Sequence, residues 1–411
     1  MRPYLLTLLS ATLLLTACQG RAGDGPLDVS VIGERWTEPT PAAALLTATS
    51  GGLVRLDREG QVIPGAAARW AILDDGVDYI FRIDDQAGLT AATIVRRLRA
   101  GLRRQARNPD FAALAPVESV TAVTTKVVEM RLSVPQPDLL PLLARPQLAV
   151  GSPTALHPTA TSNAQILLGA RAGEEAPPAV RLRTERVGRA VARFQANEGL
   201  AVLGGTFADL AVARVAQPRR DALRFDPASG LFGLAIRNSK LDPALRNALS
   251  LSIDRDRIVI TFAAPGQAKA TTVAGSTIEP DLEQRRATAR ALLAGTARQV
   301  RVAMPAGPGA RLLFALLADD WRKVGVTAEA VAPGAAADLM LVDRVAPPGT
   351  LATLACALSA GCDPHDRLAL INPPYIPIAT PIRWSLVAPS LDLFTANSLA
   401  VHPLDQLRGR R

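Results

Sequence analysis

The sequence predicts an α/β protein of two or three domains, and three observations predict it. Its 411 residues exceed one ordinary domain, and 48% hydrophobic with 20% charged residues is a globular balance. Short alternating strands interleave with amphipathic helices along the chain. Beyond the first twenty residues no apolar run reaches the length that a bilayer requires, which excludes a multi-span membrane protein. Lys plus Arg, 46, exceeds Asp plus Glu, 37, for a formal charge of +9. That excess is spread along the chain and only 4% of residues are aromatic, so no nucleic-acid module, with its stacking aromatics or concentrated basic stripe, is expected.

Residues 1–17 read as an export signal: Met1, Arg2 and Pro3 lead into an apolar run over residues 5–15 that is too short to span. The run ends in Leu15-Thr16-Ala17-Cys18, which resembles the bacterial lipobox. That resemblance implies lipidation of Cys18 and a protein anchored in the cell envelope, facing the periplasm or the exterior. Buried acyl methylenes contribute about 0.8 kcal/mol each, so two or three chains anchor durably. Small polar residues make 18–26 a tether. Of the remaining cysteines, Cys356 and Cys362 are read either as a local disulfide, which an oxidising compartment permits, or as two buried thiols. His157, His365 and His402 stand apart from one another, so no metal and no cofactor is expected.

The elements follow in order. Residues 27–33 alternate as a strand, and Gly51-Gly52 marks a turn into a meander through 53–57, 62–65, 68–70 and 79–83, with Asp74-Asp75-Gly76 as one of its turns. Thr90 caps a helix on which Ile94, Val95, Leu98 and Leu102 share one face while Arg96, Arg97, Arg99, Arg103, Arg104 and Arg107 take the rest, read as its solvated side. Strands at 117–123 and 126–134 and a short helix near Leu139–Leu143 precede a stretch rich in Ala, Thr, Gly and Pro at 151–178. Strands and short helices of an α/β unit fill 180–212 and 222–236. Asp242-Pro243 starts a helix, with Asp as N-cap and Pro in the first turn. A strand at 300–304, a helix at 312–324 and a strand at 326–331 form a βαβ-like unit. The intervening Gly307-Pro308-Gly309 lacks both the third glycine of a dinucleotide fingerprint and a Walker lysine, so it reads as a helix start. Residues 338–343 return as a strand, and the tail from Asn372 is Pro-rich and extended.

Three stretches resemble the family-5 solute-binding proteins of ABC transporters, the peptide and nickel binders. They are Gly52–Arg82 with its Pro64-Gly65-Ala66 turn and Asp74-Asp75-Gly76 hairpin, Arg246–Val259 as one helix, and Pro374–Val387 with its Trp384. The resemblance implies a two-lobed α/β fold of the periplasmic-binding-protein type II class, with an extra subdomain on lobe one and an abbreviated second lobe. On that reading lobe one comprises 27–50, 151–237 and 375–411, the subdomain 51–150, and lobe two 238–374. It further implies a monomer that is not an enzyme, captures a peptide or other small solute between its lobes, and hands it to permease subunits. Trp36, Asp343, Arg344 and Trp384 are the cleft candidates, with Asp343 as anchor for a peptide amine. The other reading makes the tryptophans core residues and Asp343 and Arg344 solvated or mutually paired. A degenerate member acting as an envelope scaffold or sensor is the alternative function. No nucleophile elbow, His-Glu-x-x-His helix or Walker loop is present. Fatty-acid labelling in an exporting bacterium should mark the chain, and Cys18→Ser should abolish the label; a label that survives the substitution removes the lipobox reading.

Overall fold

The computed structural model describes residues 25–171, 177–216, 218, 221–294 and 298–409. Residues 1–17 and Cys18 lie outside the described residues, as does most of the tether. Lobe one is built on a seven-stranded sheet in the order Leu223–Asp226, Arg383–Val387, Ala201–Thr206, Leu27–Ile32, Val180–Glu185, Gln165–Ala170 and Leu156–Thr161. The first strand of the chain lies parallel to 180–185 and 201–206, while the flanking strands run antiparallel. The central strands alternate instead, LDVSVI in Leu27–Ile32 and VRLRTE in Val180–Glu185, so each sends its apolar residues to one face. Val29 and Val31 are fully buried towards the Pro39–Thr49 helix and the C-terminal tail, while Trp384 and Leu386 point to the opposite core.

The subdomain leaves lobe one at Gly51 and returns at Ser152, where the two backbones pair. It holds a four-stranded antiparallel sheet in the order Ala67–Leu73, Asp78–Ile83, Val127–Leu132, Val117–Thr124, with the Ala91–Gln105 helix against one face. The Thr90 hydroxyl accepts from Thr93 N–H, and Ile94, Val95 and Leu98 are buried as their spacing requires.

Lobe two carries a five-stranded sheet in the order Val326–Val331, Arg298–Ala303, Leu339–Val345, Gly230–Ile236, Tyr375–Ala379. One face packs on the Pro243–Ser252, Leu282–Leu293 and Pro308–Arg322 helices, and the Leu351–Leu358 helix covers part of the other. Two sequence readings shift here. The Gly230–Ile236 and Tyr375–Ala379 strands belong to the lobe-two sheet, so the crossings fall at 227–229 and 380–382 rather than at 237/238 and 374/375. The stretch Arg246–Val259 is not one helix: Ile253 is extended, and Asp254 accepts from Arg257 N–H at 2.9 Å to cap a second helix, Arg255–Phe262. Cys356 and Cys362 form a disulfide, with Cα atoms 5.2 Å apart, at the end of the Leu351–Leu358 helix.

Trp384 lies flat against Gly205 on the adjacent strand, where a Cβ would stand 2.2 Å from the indole ring. Gly205→Ala should displace that ring and cost about 1–3 kcal/mol by overpacking; urea unfolding measures it, and an unchanged midpoint would show that the ring yields freely.

Candidate functional site

Both crossings pass one seam, and a partly buried ion pair sits on it. Arg383 opens its lobe-one strand directly after the 380–382 crossing. It donates from Nη1 to Asp343 Oδ1 at 2.7 Å and from Nη2 to the Asp343 carbonyl at 3.3 Å. Asp343 belongs to lobe two, so the pair ties the lobes together, with side chains 16% and 13% exposed. Burial raises the Asp343 carboxyl above its usual range, and the Arg383 charge opposes that rise. Tyr375, one strand further on, is buried with its hydroxyl unpartnered. Burial first, and then the Asp343 charge, pushes its phenol well above the ordinary value. Gly233 on the strand between them leaves that hydroxyl its space, since a Cβ there would lie 2.6 Å from it.

Beside the ion pair the seam is apolar. Phe207 follows the Ala201–Thr206 strand of lobe one and meets Phe232 of lobe two edge to face, centroids 4.9 Å apart, with Phe262 at 6.1 Å. Such aromatic pairs contribute about 0.5–1.5 kcal/mol beyond their burial. The backbone closes in as well: Gly309 N–H donates to Ala208 O at 3.0 Å, and a Cβ on Gly309 would stand 2.0 Å from Phe207 O. The Gly307-Pro308-Gly309 loop is therefore a helix start whose glycine permits lobe-to-lobe contact.

A third set of bonds joins the subdomain to lobe two. Arg145 donates to Asp110 O at 3.0 Å and to Val345 O at 3.2 Å. Asp138 Oδ2 accepts from Gly349 N–H at 2.6 Å, and Arg344 Nε stands 3.5 Å from Asp110 Oδ1. Burial lowers the Arg145 pKa, countered in part by Asp110.

The four cleft candidates are placed differently from one another. Asp343 is at the seam but is held by Arg383, neither solvated nor paired with Arg344. Arg344 is half exposed and faces Asp110. Trp384 is 1% exposed and its indole N–H donates to Thr206 O at 2.8 Å, so it is a core residue presenting nothing to a cleft. Trp36 is half-buried against the lobe-one core and its indole N–H has no partner. It follows the carboxyl end of the first strand, on the edge from which Phe207 also emerges, and such edges are where open α/β sheets take ligands. Arg383, Tyr375, Arg145 and Asp138 were not singled out from the sequence. Arg383 had one available signal: it neighbours Trp384 on a strand, so an inward Trp384 puts Arg383 on the opposite face. At the other end of the Leu339–Val345 strand an open depression of about 550 Å3 lies between Arg237, Arg301 and Asp338, away from the crossings.

No protein-family model matches the sequence, and no curated protein matches it. Solved structures do. The Escherichia coli murein tripeptide binding protein MppA matches over 95% of this chain and 99% of that chain, with a TM-score of 0.76 at 16% identity. The chain has the two-lobed fold of the periplasmic solute-binding proteins. OppA of Haemophilus influenzae, in complex with the peptide RPPGFSPFR, aligns over 94% of this chain and 100% of its own with a TM-score of 0.76 at 14% identity. The periplasmic binding protein AgaA of A. tumefaciens R10, in complex with agropinic acid, gives 0.71 at 14% identity over 94% and 99%. These relatives are binding proteins rather than enzymes. Against the unliganded open form of MppA the TM-score is 0.64 at 16% identity.

Because burial raises the Asp343 pKa, the fold favours its protonated form. This group's contribution to stability is therefore fully present below the ordinary carboxylate range and is lost as pH rises through the raised value. Arg383→Gln leaves the carboxylate partly buried and alone, and should cost about 3–5 kcal/mol at neutral pH. Relative to the parent, that deficit should narrow on acidification as Asp343 takes up a proton. Urea unfolding at two pH values checks it, and a deficit independent of pH would show that the pair contributes nothing through charge.

Proposed function

We propose that this protein is the solute-binding lipoprotein of an ABC importer, which takes a peptide-like solute between its lobes and delivers it to membrane permease subunits. One observation carries the reading: the carboxyl edge of the lobe-one sheet, the end of the Leu339–Val345 strand and the subdomain converge on one seam beside the two crossings. A solute touching both lobes there favours the closed arrangement by its difference in affinity for the two states, and a permease reads that arrangement. Arg344 supplies a donor at the rim of the seam, while Trp36, whose indole N–H is buried without a partner, lies beyond the carboxyl end of the first strand. Asp343 supplies a carboxylate for which an incoming amine competes with Arg383.

The same pair favours a second reading, a degenerate member acting as an envelope scaffold or sensor. Arg383–Asp343, Asp138–Gly349 and Arg145–Val345 satisfy the seam from within the chain. Thermal unfolding with a broad peptide mixture separates the two. A binder gains RT ln(1 + [L]/Kd), about 2.7 kcal/mol at a hundredfold excess over Kd, and its melting temperature rises. A melting temperature that no peptide or other small solute moves would assign the scaffold reading.

A further inference from the structure

The Ala91–Gln105 helix carries a charge pattern that solute binding does not use. Arg96, Arg99, Arg103, Arg104 and Arg107 are all exposed, and none has a side-chain partner among the described residues. At about 100° per residue, Arg96, Arg99 and Arg103 fall in a stripe about 60° wide, Arg104 lies about 80° beyond its edge, and Arg107 follows in the turn after the helix. No Asp or Glu occurs anywhere from residue 86 to residue 109. Two helical arginines of lobe two are treated otherwise: Arg257 bonds Asp319 and Asp320, and Arg286 bonds Glu283 and Asp320. A face that only had to be soluble would place carboxylates three or four residues from these arginines, where each pair contributes a few tenths of a kcal/mol.

The position of the helix matters as much as its charge. Arg97 donates to Val150 O at 2.5 Å, which fixes the helix to the strand returning from the subdomain. Val150 N–H donates to Gly51 O, Gly51 N–H to Ser152 O, and the Thr154 hydroxyl to Ala48 O. Residues 156–158 then run beside 168–170, whose Leu168 faces Val180, which faces Leu27. The arginine helix is thus held at the end of lobe one where the first strand begins. Eight residues, 19–26, separate Leu27 from Cys18, and nine steps of at most about 3.6 Å limit that distance to roughly 30 Å.

We infer that the arginine face of the Ala91–Gln105 helix is a docking surface for the anionic lipid headgroups of the membrane that holds the chain. This rests on the lipobox reading of Cys18. Each arginine near an anionic bilayer adds attraction that falls off within a Debye length, so a face kept close by a short tether gains most. The exposed side of the helix consists of Arg, Ala and Thr without an aromatic residue, which suits headgroup phosphates and gives bases nothing to stack on.

The test uses the full chain with Cys18→Ser, so that no acyl group contributes, sedimented with vesicles of phosphatidylcholine alone or mixed with phosphatidylglycerol. The parent should partition more strongly onto the mixed vesicles, and added salt should weaken that preference. Replacing Arg96, Arg99, Arg103 and Arg104 together by Gln, which preserves helix propensity, should lower partition onto the mixed vesicles on the order of 10²- to 10³-fold. Partition onto neutral vesicles and the circular dichroism spectrum should stay as in the parent. Equal partition of parent and variant, or a parent indifferent to phosphatidylglycerol, overturns the inference. Tighter binding to a single-stranded oligonucleotide than to the mixed vesicles at the same salt assigns the face to nucleic acid and overturns it too. Fatty-acid labelling of the unsubstituted chain is read separately. Failure there removes the tether and the assignment to the chain's own membrane, whereas failure of the vesicle assay removes the docking face itself.

Discussion

One ion pair between the lobes, Arg383 with Asp343, is the constraint to which the rest of the seam conforms. Two charges in a mostly desolvated position are stable only when each finds the other and the remaining donors are used. Arg383 meets this by bonding both the carboxylate and the backbone carbonyl of one residue, and its own strand neighbour Ile382 supplies a further acceptor at 2.8 Å. The geometry in turn requires the 380–382 crossing to be short and the lobes to stand close, which the Phe207 to Phe232 contact and the Gly309 to Ala208 hydrogen bond make possible. One hydrophobic cluster consequently runs without a break from Phe194 and Val202 in lobe one to Leu313 and Trp321 in lobe two. On the proposed reading, a solute entering this seam would exchange existing contacts for its own, so its affinity would be a difference between two sets of interactions.

The basic excess of the chain divides into two populations with different physics. In lobe two, Arg255, Arg285 and Arg286 are nearly buried and serve as connectors: Arg255 bonds the carbonyls of Pro377 and Ser250, Arg285 those of Leu251 and Ile253, and Arg286 the fully buried Asp320. Burial brings the Arg255 pKa down to about 10, with Glu279 working against that and Arg285 adding to it. These arginines hold helices to strands, and the Arg255–Phe262 helix keeps its place through them. Arg96, Arg99, Arg103 and Arg104 on the Ala91–Gln105 helix have no such task among the described residues. A net charge read from composition averages over both groups and describes neither.

Much of the fold was legible because local chemistry decides it. Thr90 and Asp242 cap the helices their positions promise, and the burial of Ile94, Val95 and Leu98 follows from spacing alone. The split at Ile253 was hidden by a run of residues that all suit a helix, and only the Asp254 side chain, competing for backbone N–H groups, ends one helix and begins another. The seam was much less legible. Asp343 was visible as a charge after a strand, but its partner lies forty residues later across a lobe boundary. Trp384 drew attention by size, yet size sent it inward onto Gly205, leaving the adjacent Arg383 for the polar task. Pairing across a crossing depends on which face each strand residue takes, and that is fixed by the sheet, not by the neighbours in sequence.

Lobe one collects its seven strands from three separate parts of the chain, 27–32, 156–226 and 383–387, and the last of them lies between the strands 201–206 and 223–226. The tail beyond it is also required: Asp392 and Asp405 pair with Arg58 and Arg55, and Asn397 and His402 bond Asp226. The lobe that holds the first strand is therefore the last to be completed, because the Arg383–Val387 strand and the tail beyond it come near the end of the chain. Contacts of such long sequence separation carry a large loop-closure cost and form slowly. In such a chain the closing strand of lobe one is the last of its seven to find its place.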